Sequence, residues 1–253
     1  MFFQDTSDMA TGAQGTGGSN AEALQQIGFS SFIHEMSTPD WVVFIVLCIM
    51  SVMSWYYIIA NLIRNTMVRS RADKVIRAFW DAGSAQDSIR AMEEQPRSEP
   101  FSKIALDCAT AAAHHQRSDA GKLAESLNRS EFIDRALRQS VARESLKLEN
   151  GLTVLATVGS AAVFVGLLGT VIGIYYALTS IGAAGEASIT AVAGPVGQAL
   201  IMTAFGLFAA IPAVLAYNFF VRSNRLTYAQ FDEFAHDLHD FFATGSRVGE
   251  TSK

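Results

Sequence analysis

Three runs of apolar residues dominate the chain, roughly Trp41–Ile63, Leu152–Ile181 and Ala193–Phe220. Each reaches the about 20 residues that a helix needs to cross a ~30 Å hydrocarbon core. Buried helices of a soluble core show shorter runs, of about 10–14 residues. The pattern therefore predicts an all-α integral membrane protein with three transmembrane helices. Outside the runs, apolar residues return at helical spacing. Val75, Ile76, Phe79 and Trp80 mark one helix. Ile133, Leu137, Val141, Glu144 and Leu148 fall at near-heptad spacing, and Leu152 carries that pattern into the second run. No proline or clear cap interrupts Ser130–Ile181, so this stretch reads as one helix of ~75 Å at 1.5 Å per residue. Its narrow stripe suits packing against copies of itself. Thr227, Phe231, Phe234, Leu238 and Phe241 form a last stripe, opposite Asp232, Glu233, Asp237 and Asp240. It predicts an amphipathic tail helix beside the projecting one.

These elements divide the chain. Residues 1–40 form an N-terminal segment. Its start is rich in Gly, Ser and Thr and reads as disordered. Leu24, Ile27, Phe29, Phe32 and Ile33 then predict a short amphipathic helix that Pro39 ends. The segment lacks the basic start and apolar core of a cleaved secretory signal. Residues 41–63, 152–181 and 193–220 are the spans, and 182–192 the loop between the last two. Residues 64–151 form a helical domain, with helix starts at Ser84 and Ser98, and 221–253 the tail. The first span carries no charge and no dense glycine pattern, which suits the helix most exposed to lipid.

Charge sets the orientation. The 253 residues carry a net charge of −5, but the position of the cations says more than their number. Met1–Ile63 has no Lys or Arg; Arg64 directly follows the first span, Lys147 precedes the second, and Arg222 and Arg225 follow the third. The positive-inside bias puts the N-terminus outside, and residues 64–151 and the C-terminus in the cytoplasm. Cys48 and Cys108 predict no disulfide. His114 and His115 point about 100° apart on a helix and do not share one site. No metal spacing, cofactor motif or nucleophile–base pair points to an enzyme, and no nucleic-acid partner is expected.

The candidate chemistry lies inside the second and third runs. Gly159, Val163, Gly166, Thr170, Gly173 and Ala177 share one helical face, and Gly169 and Gly173 make a small-xxx-small pair. Small residues let helix backbones approach closely, between helices or between subunits. Thr170 and Thr203 lie ~16 Å and ~15 Å below the outer ends of antiparallel neighbours, at similar depth. Each hydroxyl has two uses open to it: bonding its own helix carbonyl, or holding water and passing protons. Gln198 is the costliest to bury in lipid and should face protein or water. It stands about 140° around the helix from Thr203, so both point into one pore only if the helix deviates or one faces a neighbouring subunit.

The stretches Phe164–Ile174 (FVGLLGTVIGI) and Gly194–Asn218 (GPVGQALIMTAFGLFAAIPAVLAYN) resemble the TolQ/ExbB/MotA proton-channel family. Three spans, an outside N-terminus and a large first cytoplasmic loop look like its ExbB and TolQ branch. The GPVG start and extended N-terminus favour the ExbB side. The resemblance implies a homopentamer in the inner membrane whose pore holds helices of a single-span, ExbD-like partner. Proton flow would drive movement that a TonB-like protein carries to outer-membrane import of iron–siderophores. A TolQ-like role in envelope constriction, or a non-conducting membrane scaffold, are the alternatives. The family's pore threonines map onto Thr170 and Thr203. One departure matters: Gln198 stands where the family has a Glu, and an amide cannot take and release a proton. Either the amide fixes the neutral state of that site, or the proton path runs through the partner's carboxylate. Ile172 and Val163 replace a frequent Trp and Pro without removing a titratable group.

Overall fold

The computed structural model describes residues 38–96, 98–117, 129–184 and 189–244, and all regular structure among them is α-helical. The helices are α1 (Thr38–Trp80), α2 (Ala85–Glu93), α3 (Pro100–Arg117), α4 (Arg129–Leu148), α5 (Leu152–Ala184) and α6 (Ile189–Thr244). The amphipathic helix expected before Pro39, the end of the tail, and the side chains of His114 and His115 lie outside the described residues.

Three helical stretches are long and apolar enough to cross a membrane. Two of the helices run well beyond the spans read from the sequence. α1 has 43 residues and α6 has 56, so neither Arg64 nor Arg222 is a helix end. Arginine is a good helix former; the apolar run stops there, but the backbone ladder does not. The expected tail helix is thus the continuation of the third span. α6 passes through Pro195 and Pro212 unbroken. α5 reaches Ala184 and α6 starts at Ile189, which shortens the loop expected over 182–192. Many large side chains of the three helices face outward, among them Val52, Phe164 and Leu215. In water such a surface would aggregate; against lipid tails it is the ordinary exterior. α1 is not uniformly oily, however. Ser54, Asn61 and Asn65 are buried along one side of it.

The expected single helix over Ser130–Ile181 is broken. α4 ends at Leu148, α5 begins at Leu152, and Gly151 between them has φ +87°. That left-handed conformation costs a residue with a Cβ about 1–2 kcal/mol. The Tyr57 ring also lies where a Cβ at Gly151 would stand. The turn frees carbonyls at the end of α4, and side chains from two other helices take them. Arg64 donates to the Lys147 carbonyl, Asn224 Nδ2 to that of Leu148 at 2.9 Å, and the Tyr228 hydroxyl to that of Ser145 at 3.2 Å.

The chain divides into two compact units. Unit 1 comprises Met1–Ile49 and Val163–Phe208; unit 2 comprises Met50–Ala162 and Ala209–Lys253. Unit 2 has a closed apolar core. Val75 and Phe79 of α1, Phe101, Ile104 and Cys108 of α3, Ile133 and Leu137 of α4, and Phe231, Phe234 and Leu238 of α6 are all buried in it. Phe101 packs edge-on against Phe231, ring centroids 4.9 Å apart, and Phe79 against Phe234 at 5.9 Å. Burying one such ring stabilises the fold by about 1.5–3 kcal/mol. The α4 stripe, expected to meet copies of itself, is therefore covered within its own chain by α3 and α6. Polar contacts follow the same pairing: Ser140 Oγ donates to Asp107 Oδ2 at 2.7 Å, and Ser130 Oγ bonds His239 Nε2 at 2.9 Å.

Local signals explain the short helices. Ser84 caps α2, accepting from the Asp87 N–H at 3.2 Å and donating to the Asp87 carboxylate at 2.6 Å. α3 starts one residue later than Ser98 would place it. The Glu99 carbonyl accepts from Lys103 N–H at 3.4 Å, and Pro100 takes the first helical position, where its missing N–H is not needed. Burial of Glu99 pushes its carboxyl above the usual range, ahead of the opposing pull of the Phe101 N–H, Arg71 and Lys103. Burial likewise pushes the Cys108 thiol up to about 12.

Candidate functional site

The small-residue face of α5 is a line of close helix contacts. In unit 1, a Cβ at Gly166 would stand 2.8 Å from the Met202 carbonyl oxygen, 3.1 Å from Gly206 Cα and 3.2 Å from Thr203 Cα. These are backbone atoms, so α5 and α6 touch main chain to main chain there. At Gly169 the nearest atoms are Val43 Cγ1 (2.9 Å) and Met202 Cβ (3.0 Å), and at Gly173 Ala199 Cβ (3.0 Å). In unit 2, Gly159 faces Val214 Cγ2 at 2.5 Å. All four glycines thus pack against helices of their own chain.

Thr170 shares this face and is 5 % exposed. Its hydroxyl donates to the Leu167 carbonyl at 2.7 Å, the local bond that a threonine makes readily in an apolar helix. The oxygen keeps lone pairs able to accept. Over residues 194–213 of α6 the buried positions are Ala199, Met202, Gly206, Ala209, Ala210 and Ala213. At 3.6 residues per turn, Gln198 and Thr203 fall about 70° to either side of that stripe. Both are half-buried. One unbroken helix therefore carries the two polar groups at opposite edges of its packed face. Thr203 lies beside Gly166, and Gln198 precedes Ala199, which meets Gly173.

One acid belongs to the same surroundings and was not singled out from the sequence. Asp40 in the first turn of α1 places its Oδ1 3.7 Å from the Cβ position of Gly173. Its signal was available: an acid directly before a span. Among the described residues, no cluster of His, Cys, Asp and Glu could hold a metal ion.

The fold and this seam define an integral membrane protein built for close helix packing around a few hydroxyl and amide groups. The chain belongs to the MotA/TolQ/ExbB proton channel family, whose pattern matches residues 104–233. The biopolymer transport protein ExbB of Xanthomonas campestris pv. campestris is 64% identical over 245 residues, covering 93% of this chain and 97% of that protein. ExbB of Neisseria meningitidis is 39% identical over 197 residues, covering 78% and 89%. The Tol-Pal system protein TolQ of Pseudomonas aeruginosa is 48% identical over 113 residues, but covers 43% and 49%. The likeness to the Xanthomonas ExbB runs almost end to end and that to the Pseudomonas TolQ covers less than half, so the chain is an ExbB-type subunit of the inner membrane. Its family is one of transport, not of enzymes.

Proposed function

We propose that this chain is the ExbB-like subunit of a proton-driven motor in the inner membrane. Five copies surround the membrane helices of two copies of an ExbD-like single-span protein. Proton flow moves the assembly, and a TonB-like protein carries the energy to outer-membrane import of iron–siderophores and similar cargo. The N-terminus lies in the periplasm; residues 64–151 and the C-terminus lie in the cytoplasm, following the placement of Arg64, Lys147, Arg222 and Arg225. The observation that carries the reading is the contact at Gly166, which sets Thr203 against the α5 face that also bears Thr170. Thr170 and Thr203 line the proton path. Gln198 stands beside it as an amide, so the partner supplies the carboxylate that crosses between charged and neutral states.

Co-expression with a single-span partner, native mass spectrometry and proton uptake by reconstituted liposomes test this. A ring that captures the partner and takes up protons supports the motor. A monomer that captures no single-span protein, or a ring that passes no protons, overturns it. Gln198→Glu separates the two readings of the amide. A sharp rise in flux and iron import marks the amide as a block, and unchanged flux marks a path that bypasses it.

A further inference from the structure

Glu144 of α4 is buried, and two lysines share it. Lys147 Nζ, one turn on, stands 2.5 Å from Glu144 Oε1, and Lys103 Nζ of α3 stands 4.0 Å from the same oxygen. One carboxylate balances one ammonium, so the group carries a surplus cation, and Lys103 is the more loosely held of the two. The two amines also lie within hydrogen-bonding reach of each other. An ammonium has no lone pair with which to accept, so that contact favours a neutral amine on one side. Lys103 also lines a cavity of about 450 Å³ beside α2 and α3, where Met92, Pro96 and Leu106 form an apolar wall. The other charges around it are Glu99 and Asp107 on its own helix, Glu93 on the cavity wall, and Arg71 of α1 near Glu99. Burial pushes the Lys103 amine below the ordinary lysine range; Glu144 pulls against that, and Lys147 adds to it. The hydrogen bond to Glu144 holds Lys147 above that range. A neutral amine is the nucleophilic form, and desolvation beside another cation frees it.

We propose that Lys103 is an acylation site, whose amine takes the acyl group of a small acyl phosphate into the adjoining cavity. The neutral amine attacks the carbonyl carbon. The C–N bond forms, the bond from that carbon to the phosphate oxygen breaks, and phosphate leaves with the electron pair. The amine proton passes to water, and an amide remains. A short acyl chain rests against Met92, Pro96 and Leu106. Acylation removes the surplus charge and leaves Glu144 to Lys147 alone. The polar tie between α3 and α4 then rests on Asp107, which holds Ser140 and Arg143. None of these residues lies in the apolar spans, so the site stands independently of the motor reading.

The test treats the full chain in detergent with acetyl phosphate and follows each lysine by peptide mass spectrometry. Exposure ranks the pair the other way, because the Lys147 side chain is 50% exposed and that of Lys103 33%. Accessibility alone therefore predicts faster reaction at Lys147. Lys103 is expected instead to react about threefold faster or more at about pH 8, since one pKa unit changes the neutral fraction about tenfold and lower basicity takes back part of that gain. Rates followed between about pH 7 and 11 should place the Lys103 midpoint below that of Lys147. In the chain unfolded by denaturant the preference should vanish. A native chain in which Lys147 reacts as fast as Lys103, or in which the two midpoints are reversed, overturns the inference. So does a preference that persists unchanged after unfolding, because the neighbours in sequence and not the fold would then set it.

Discussion

Thr203 Cα lies 3.2 Å from the point where a Cβ on Gly166 would stand, and the Met202 carbonyl oxygen lies closer still, at 2.8 Å. A methyl group there meets main chain, which cannot swing aside as a side-chain end can. Gly166→Ala should therefore push α5 and α6 apart and cost about 1–3 kcal/mol. Thermal unfolding in detergent checks this, and an unchanged midpoint would show the two backbones to be farther apart.

Gly151→Ala should destabilise the protein twice over, through its φ of +87° and through the Tyr57 ring. The first part is about 1–2 kcal/mol. Introducing Tyr57→Ala alongside it removes the second part only. The double variant should recover some of the loss relative to the two single changes, and Gly151→Asn should be milder because asparagine tolerates the left-handed region.

Glu99→Gln should stabilise the protein near neutral pH and have little effect in acid. Burial raises the folded-state value of Glu99 above its ordinary 4.5. Its favourable contribution is thus complete below that value and is lost as pH rises through the raised one. The neutral amide escapes this loss. Unfolding midpoints of the two proteins should coincide below about pH 4 and diverge as pH rises to 7.

Cys108 is fully buried, with its thiol pushed up to about 12. The thiolate is the reactive form. Maleimide at pH 8 should leave Cys108 unmodified in the folded protein and label it after denaturation. Peptide mapping by mass spectrometry reads the outcome; rapid labelling of the native protein would mean the core of unit 2 opens.

Thr170→Val keeps the side chain's shape and removes the hydroxyl that donates to Leu167. That carbonyl belongs to an intact helix, so stability should change by no more than about 1 kcal/mol. If Thr170 serves the proton path, uptake should fall by about tenfold or more while the ring persists. Equal uptake would confine Thr170 to packing.

The three spans were legible in the sequence because length alone distinguishes them. The glycine face of α5 was legible because its period matches a helix. The extent of α1 and α6 was not. A change from apolar to charged residues at Arg64 and Arg222 marks the edge of a solvent, and a helix crosses such an edge freely. The break at Gly151 was hidden for a different reason. Leu148, Leu152 and Leu155 are all buried on either side of it, so the apolar spacing passes through the turn undisturbed. The Asn150–Gly151 pair was the available sign. The place of Asp40 was hidden as well, because nothing in its neighbours' identity reveals that α1 lays it against Gly173.

The joint at Gly151 also bears on how force travels. Torsion passes along a helix through its ladder of backbone hydrogen bonds, and that ladder is interrupted between α4 and α5. α1 and α6 have no such interruption. A twist applied to their apolar ends reaches Phe79 and Phe234 through continuous backbone. α5 has no such path to α4: the Gly151 turn stands between them, and Arg64, Asn224 and Tyr228 tie the end of α4 to α1 and α6 instead. Two of the three long helices thus run on from their apolar stretches without a break, and the third carries a joint.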